Sequence, residues 1–455
     1  QALDLFWQGM HAPNMFLHRY VWVFSTLIIY MAAETLVRIR EIKRIHLSIP
    51  FLLLVTGFFL TFYFRDHYPY LEPIHFILTV EFLLAYSILL IGKIYKKIPF
   101  KIFSLLSLGF VLFEMGLHSH YQIEGLAAEW NFPSRSNYED QLTEIDNLVK
   151  GTNSKNSYFY RTEKLDIQTG NDSMKYNYYG ISQFSSIRNR SSSSTLDKLG
   201  FRSDGTNLNL RYQNNTIIAD SLFAVKYNLA ESDPLKYGFS LYQTEVGLSS
   251  YKNEYATQLA ILTEGVYKDV KFTNLTLDNQ TRFLNQITGL EQTYFTKLYP
   301  LSVKNATELN NRVTVQTPEN EDMPRVNYEL TVPADSQLYI SIPNISFSNQ
   351  DQEIVQISVN NVSTNFTLDN TFSIFNIGYF EKGQNLNVVI RFPYNSQVSF
   401  DQPQFYHLDT RAYQAAMGII KSQKVEVKTY QNMVEANYNA TKESSLLFTL
   451  PYDKG

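Results

Sequence analysis

Four stretches of almost unbroken apolar residues, 20–37, 47–64, 74–92 and 102–117, constrain this chain more than any other feature. Each approaches the ~20 residues that a helix rising 1.5 Å per residue needs to cross ~30 Å of hydrocarbon. They are apolar on nearly every face. A soluble bundle would show one apolar stripe per helix instead. The second stretch carries no charge, whereas the other three hold Glu34, Glu81 and Glu114. The fold class expected is therefore a membrane α-helical bundle with four transmembrane helices, followed by a large polar region.

The loops orient the helices. Arg38, Arg40, Lys43 and Arg44 lie between the first and second stretches, and Lys93, Lys96, Lys97 and Lys101 between the third and fourth. Basic loops stay in the cytoplasm. The first helix then runs from outside to inside, and everything after about residue 120 is extracellular. Glu34 stands four residues before Arg38, a spacing that pairs the two on one helix surface.

This orientation collects polar residues at the outer boundary. His18 and Arg19 open the first helix, and Arg65, Asp66 and His67 close the second. His75 and Glu81 lie in the outer part of the third, and Glu114 and His118, with His120, at the outer end of the fourth. Carboxylates within a membrane usually face a bundle interior, a partner or a watery cavity. Arg and His at headgroup depth can bind a lipid phosphate. His18, Arg19, Arg65, Asp66, His67, His75, Glu81, Glu114 and His118 are the candidate substrate-binding residues. The plain alternative is snorkelling of such side chains to water.

Beyond residue 120 the composition turns to Asn, Ser, Thr and Tyr, with a net acidic balance. Seven of the eight His precede it, and only His407 follows. No basic tract is present, which excludes nucleic acid as a partner class. There is no Cys at all, which points away from a disulfide-stapled eukaryotic secreted protein and toward a bacterium. Sequons such as Asn274-Leu275-Thr276 read as chance in an Asn-rich chain. The chain begins at Gln1 and stops after a strand-like run, and both ends read as cuts in a longer protein.

Residues 136–150 read as an amphipathic helix, with Leu142, Ile145, Leu148 and Val149 on one face and Gly151 as its stop. A strand at 158–161, a helix at 217–223, a strand at 225–229, a hairpin across Val246-Gly247-Leu248 and a helix at 281–290 follow. From 303, short alternating runs suggest a β-sandwich, jelly-roll-like, with a helical insert at 410–422. The domains expected are 1–120, the C-terminal part of a larger membrane domain; 121–302, extracellular mixed α/β; and 303–455, an extracellular β-sandwich truncated at its end. No nucleotide loop, nucleophile elbow or zinc-protease motif occurs. The acidic clusters Glu319-Asn320-Glu321-Asp322 and Asp351-Gln352-Glu353 read as solvated turns rather than Ca²⁺ sites. No metal site is read from the residues, and a divalent cation stays open as the one cofactor to consider.

Several segments resemble the YfhO family of bacterial membrane proteins. They are Phe159-Tyr160-Arg161, Asn177-Tyr178-Tyr179-Gly180-Ile181, Phe184-Ser185-Ser186, Asp220 to Tyr227, Tyr251 to Ala256, Phe283 to Gly289 and the closing Pro451-Tyr452-Asp453-Lys454-Gly455. The resemblance implies a glycosyltransferase of the GT-C architecture. Such an enzyme takes a sugar from a polyprenyl-phosphate carrier and places it on a wall polymer such as (lipo)teichoic acid. Its catalytic carboxylate is expected in a first outer loop that precedes this chain, so the resemblance assigns no catalytic residue here. Sugar transfer from a lipid phosphate needs a base for the acceptor hydroxyl and cations for the leaving phosphate, and the outer-boundary cluster could supply the cations. Two other readings stay open: a non-enzymatic factor that binds or assembles wall polymer, and a flippase for a lipid-linked sugar.

Overall fold

The computed structural model describes residues 2–11, 20–43, 45–67, 72–129, 134–156, 158–185, 189–203, 209–212, 215–268, 270–318, 322–350, 352–360, 362–367, 374–430 and 433–451. It divides into two compact units, Gln1–Ser134 and Arg135–Gly455.

The first unit holds the apolar helices Val21–Val37, Ile45–Tyr63, Pro73–Ile94 and Phe100–Glu129. The last three are long and apolar enough to cross a membrane. Val21–Val37 has 17 residues and rises about 26 Å, short of a ~30 Å hydrocarbon core. Three helices thus have the length and composition of a span among the described residues, and the expected fourth is shorter. The last helix runs twelve residues past the apolar stretch, because Gln122, Leu126, Ala127 and Ala128 are strong helix formers. The Pro73–Ile94 helix begins with a proline at its first turn and a reciprocal cap between Glu72 and His75. Among the described residues of this unit only Phe76 and Leu89 are buried hydrophobic residues. Most of the remaining apolar side chains are exposed or half-buried, as suits a lipid solvent.

In the second unit, the helix Leu142–Ser154 buries Ile145, Leu148 and Val149 against Tyr176, Leu229 and Leu248. Gly151 does not stop it. The helix continues through this glycine, where a side chain would meet that of Gln243. A sheet follows in which Arg161–Lys164 pairs parallel with Val225–Ala230. Leu248–Asn253 and Phe239–Glu245 then add antiparallel. The last two form the expected hairpin, turned at Gly247 with φ of 73°, a conformation glycine adopts freely. The expected strand at 158–161 lies three residues later.

The C-terminal half of this unit is β-rich. Ser302–Lys304, Arg325–Thr331, Asn385–Arg391, Ile354–Val359 and Val362–Thr367 form one antiparallel sheet in that order. Two four-stranded sheets share its core, from Val313 to Phe405. Strict alternation puts Val326, Tyr328 and Leu330 of one strand inside. The chain then returns to the first half. The helix Thr410–Ser422 inserts Tyr413, Ala416 and Met417 among Ile217, Leu222 and Leu284. Leu446–Phe448 pairs with Ala260–Leu262.

Candidate functional site

Each expected boundary residue has a definite local setting, apart from His18 and Arg19, which lie outside the described residues. Arg65, Asp66 and His67 form a single 3-10 turn after the second apolar helix and are exposed. The Arg65 guanidinium stands over the Phe62 ring, 4.9 Å from its centroid. Phe62 in turn packs edge-on against Phe76 at 5.5 Å. This chain of contacts sets the Arg65 turn beside the start of the third apolar helix, where His75 sits. Among the described residues neither Arg65 nor Asp66 makes an ion pair.

The His75 ring accepts the Glu72 backbone N–H at Nδ1, 3.0 Å away. Its neutral form therefore carries the proton on Nε2. The ring meets Tyr121 edge-on at 4.9 Å. Further along the same pair of helices, Phe82 meets Phe113 and Tyr86 meets Phe110, both at 6.1 Å. Numbers rise on one helix as they fall on the other by nearly equal steps, so the pair is antiparallel in steady register. Glu81 accordingly lies level with Glu114 and Met115, about 12 Å of helix rise from Pro73.

The two carboxylates differ in company. Glu114 is half-buried and accepts a hydrogen bond from the Tyr86 hydroxyl at 2.7 Å. That donor meets the need of a carboxylate in apolar surroundings. Glu81 is exposed and has no hydrogen-bond or ion-pair partner among the described residues. His118 is likewise exposed and unpartnered there. His120 pairs with Glu124 at 3.4 Å, and Glu34 with Arg38 at 2.9 Å. The structure thus joins His75 to Tyr121 and Glu114 to Tyr86, whereas Glu81 shares only the level of Glu114 and lies on another face of its helix. Sequence reading missed Tyr86 and Tyr121. Their signal is the aromatic ladder of Phe82, Tyr86, Phe110, Phe113 and Tyr121, legible only once the register is known.

The second unit buries charges that the sequence presents as ordinary polar residues. The Lys236 ammonium donates to Asp220 Oδ2 at 2.7 Å, and both side chains are wholly buried. It also donates to the Tyr212 hydroxyl at 2.7 Å and to Asn228 Oδ1 at 3.2 Å. The Tyr212 hydroxyl donates to Asp220 Oδ1 at 2.6 Å. Burial raises the Asp220 carboxyl and lowers the Lys236 ammonium, and each group offsets the shift of the other.

Nearby, Glu163 accepts from the backbone of Ile181 and from both the N–H and the hydroxyl of Ser182. Burial still pushes its carboxyl up to about 7. Arg161 donates to the carbonyls of Phe223 and Thr449, each at 2.8 Å, and burial lowers it to about 10. It lines a cavity of about 670 Å³ whose walls include Ser191, Ser192, Phe223, Phe272 and Phe283. Arg161, Gly180, Ile181, Phe223, Phe283 and Pro451 of that lining all come from segments that carry the family resemblance.

Among the described residues no group of three or more His, Asp or Glu side chains is placed to hold a metal ion. Glu319, Asn320, Glu321 and Asp351 of the two acidic clusters lie outside the described residues.

A family model described as "Bacterial membrane protein YfhO" matches residues 1–455. No curated protein matches the chain. Among solved structures, the chain is similar to a family two carbohydrate esterase from Cellvibrio japonicus, with 16% identity over 25% of this chain and 30% of that one, at a TM-score of 0.17. It thus spans under a third of that esterase's length. It is also similar to a family 35 carbohydrate binding module from Clostridium thermocellum, with 17% identity over 25% of this chain and 98% of that one, at a TM-score of 0.18. At such TM-scores neither likeness bears on fold or ligand.

Proposed function

The chain belongs to the YfhO family of bacterial membrane proteins, and from that membership we propose that it is a membrane glycosyltransferase. It moves a sugar from a polyprenyl-phosphate carrier to an extracellular wall polymer, a (lipo)teichoic acid or a polymer of that kind. The chain is a multi-pass membrane protein with three spans long enough to cross. The Val21–Val37 helix supplies the fourth by tilting little and letting its flanks reach the headgroups. The two basic loops face the cytoplasm, and residues after about 120 lie outside.

The observation that carries the reading is the antiparallel pair Pro73–Ile94 and Phe100–Glu129. It joins His75 to Tyr121 and Glu114 to Tyr86, with Glu81 at the level of Glu114, in the half of the pair away from the lysines at 93–101. With that half outward, these residues meet the outer leaflet, where a carrier phosphate sits. Arg19 and Arg65 serve as fixed positive charges toward the leaving phosphate. His18, His67, His75 and His118 serve as donors, with His75 offering Nε2, since Nδ1 is engaged by Glu72. The free carboxylate of Glu81 contacts sugar hydroxyls, and Glu114 braces the pair through Tyr86. The 135–455 unit positions the acceptor polymer. No catalytic base is assigned to a residue of this chain.

A guanidinium binds phosphate through two parallel hydrogen bonds, which an ammonium does not reproduce. Arg19→Lys and Arg65→Lys should each lower sugar substitution of the wall polymer about tenfold at unchanged protein level, a barrier change of about 1.4 kcal/mol. Full substitution in both Lys variants and both Ala variants would remove this role and favour a polymer-binding factor.

A further inference from the structure

A second cavity of the 135–455 unit, about 510 Å³, is lined by Lys226, Lys252, Lys421 and Lys424 against two carboxylates, Glu254 and Glu426. Its surroundings run the other way. Residues 135–455 hold 29 Lys and Arg against 34 Asp and Glu. A cationic cavity in an acidic unit is a local concentration, and not a reflection of composition.

Lys226 is the informative member. It lies on the strand Val225–Ala230 and is only 8% exposed. Its ammonium donates to the Asn156 side chain and to the Tyr158 hydroxyl at 2.7 Å. It stands 4.3 Å from the centroid of the Tyr158 ring. Among the described residues it has no carboxylate partner. Both acceptors are neutral. An ammonium held this far from water with only neutral partners is completed best by an anion. The Asp220–Lys236 pair shows the usual solution within the same unit.

The rim repeats the pattern. Lys252 is matched by Glu254 at 2.9 Å. Lys421 donates to the Glu254 backbone carbonyl and stands over the Tyr255 ring at 5.2 Å. Lys424 has no partner among the described residues. Three of the four ammonium groups therefore lack a carboxylate, and they reach one cavity from two segments far apart in sequence. The volume is in the range of small-ligand sites. Ammonium groups act as point charges toward phosphate.

We propose that this cavity binds a phosphate group carried on a small polyol or sugar, with Lys226 as the buried anchor and Lys421 and Lys424 closing from the rim. The site stands apart from the transferase reading: it requires affinity for phosphate whether or not the chain transfers sugar.

The test uses the full chain in nanodiscs of zwitterionic lipid, titrated calorimetrically with glycerol 3-phosphate and, as a control, with glycerol. The phosphate ester should bind, more weakly as salt rises, and glycerol should not. Lys226→Met should weaken binding at least about tenfold. Lys424→Ala removes an exposed, unpartnered side chain, so it leaves the fold intact, and it should weaken binding about threefold. Absence of binding by the wild-type chain, or equal affinity in both variants, overturns the site. Repeating the titration with phosphatidylglycerol in the disc identifies the source of the phosphate. Competition supports the site with a lipid headgroup as its ligand, and its absence supports the site with a soluble polyol phosphate.

Discussion

Along the N-terminal helices most apolar side chains are exposed or half-buried, and the few charged ones, Glu81 apart, lie near the helix ends or are met by another polar group, as Glu114 is by Tyr86 and Glu34 by Arg38. The 135–455 unit does the reverse, closing its apolar residues into cores and sealing charged groups among them. The solvent explains the contrast. Lipid accepts apolar surface but leaves a charge without partners, so polar groups in the helices persist where water, headgroups or another polar group can reach them. Water accepts polar surface freely, so a charge buried away from it needs a partner, as Asp220 has in Lys236 and Tyr212.

The largest effect expected from this contrast lies in that buried pair. Lys236→Met leaves the Asp220 carboxylate buried without its cation and should destabilise the 135–455 unit by about 3–5 kcal/mol. The double change Asp220→Leu with Lys236→Met should recover most of the loss. Urea unfolding read by tyrosine fluorescence measures both. A single-variant loss under about 1 kcal/mol would show that water reaches the pair, and the contrast between the units would then fail.

A smaller effect should appear with pH. The folded value of Glu163, about 7, lies above the ordinary 4.5, chiefly because of burial and against the donors from Ile181 and Ser182. The folded state therefore holds this proton longer than the unfolded chain does. Its contribution is complete below pH 4.5 and is lost as the pH rises toward 7, at up to about 1.4 kcal/mol per pH unit. Glu163→Gln should flatten that slope in melting curves taken between pH 4.5 and 7. An unchanged slope would mean that the carboxyl is ionised in the fold throughout.

The smallest effect belongs to the helices. Removing the hydroxyl in Tyr86→Phe should destabilise the helix pair by about 0.6 kcal/mol, and by no more than about 2. Glu114→Gln added to it should bring little further loss, because the two groups share one bond. Unfolding in mixed micelles reads the difference. Additive losses would separate Glu114 from Tyr86 and free it for another role.

Periodicity made the elements legible where one period dominates. The helix Thr410–Ser422 and the hairpin at Val246 and Gly247 follow from spacing and turn chemistry alone. Gly151 was misleading: glycine often ends a helix, but here it admits the Gln243 side chain. The first apolar helix is the shortest of the four, because its helical part begins only at Val21.

The polar residues of the membrane part were visible, since a charge in an apolar run stands out. Their partners were not. Tyr86 and Glu114 are 28 positions apart, and only the register of two helices brings them together. In the second unit, Lys226 and Tyr158 are 68 positions apart, and Arg161 and Thr449 288. Charges in a polar sequence read as solvated, so nothing local marks Lys226, Glu163 or Asp220 as buried.

The account rests on one side of the membrane holding both the polar helix ends and the 135–455 unit, and thiol labelling tests that directly. The chain has no Cys, so a single one can be placed at Lys97, in the loop assigned to the cytoplasm, or at Val246, an exposed hairpin tip. An impermeant thiol reagent on intact cells should label Val246→Cys and leave Lys97→Cys untouched until the cells are opened. Labelling of Lys97→Cys on intact cells, with Val246→Cys protected, would invert the topology and remove the basis for a site on the outer leaflet.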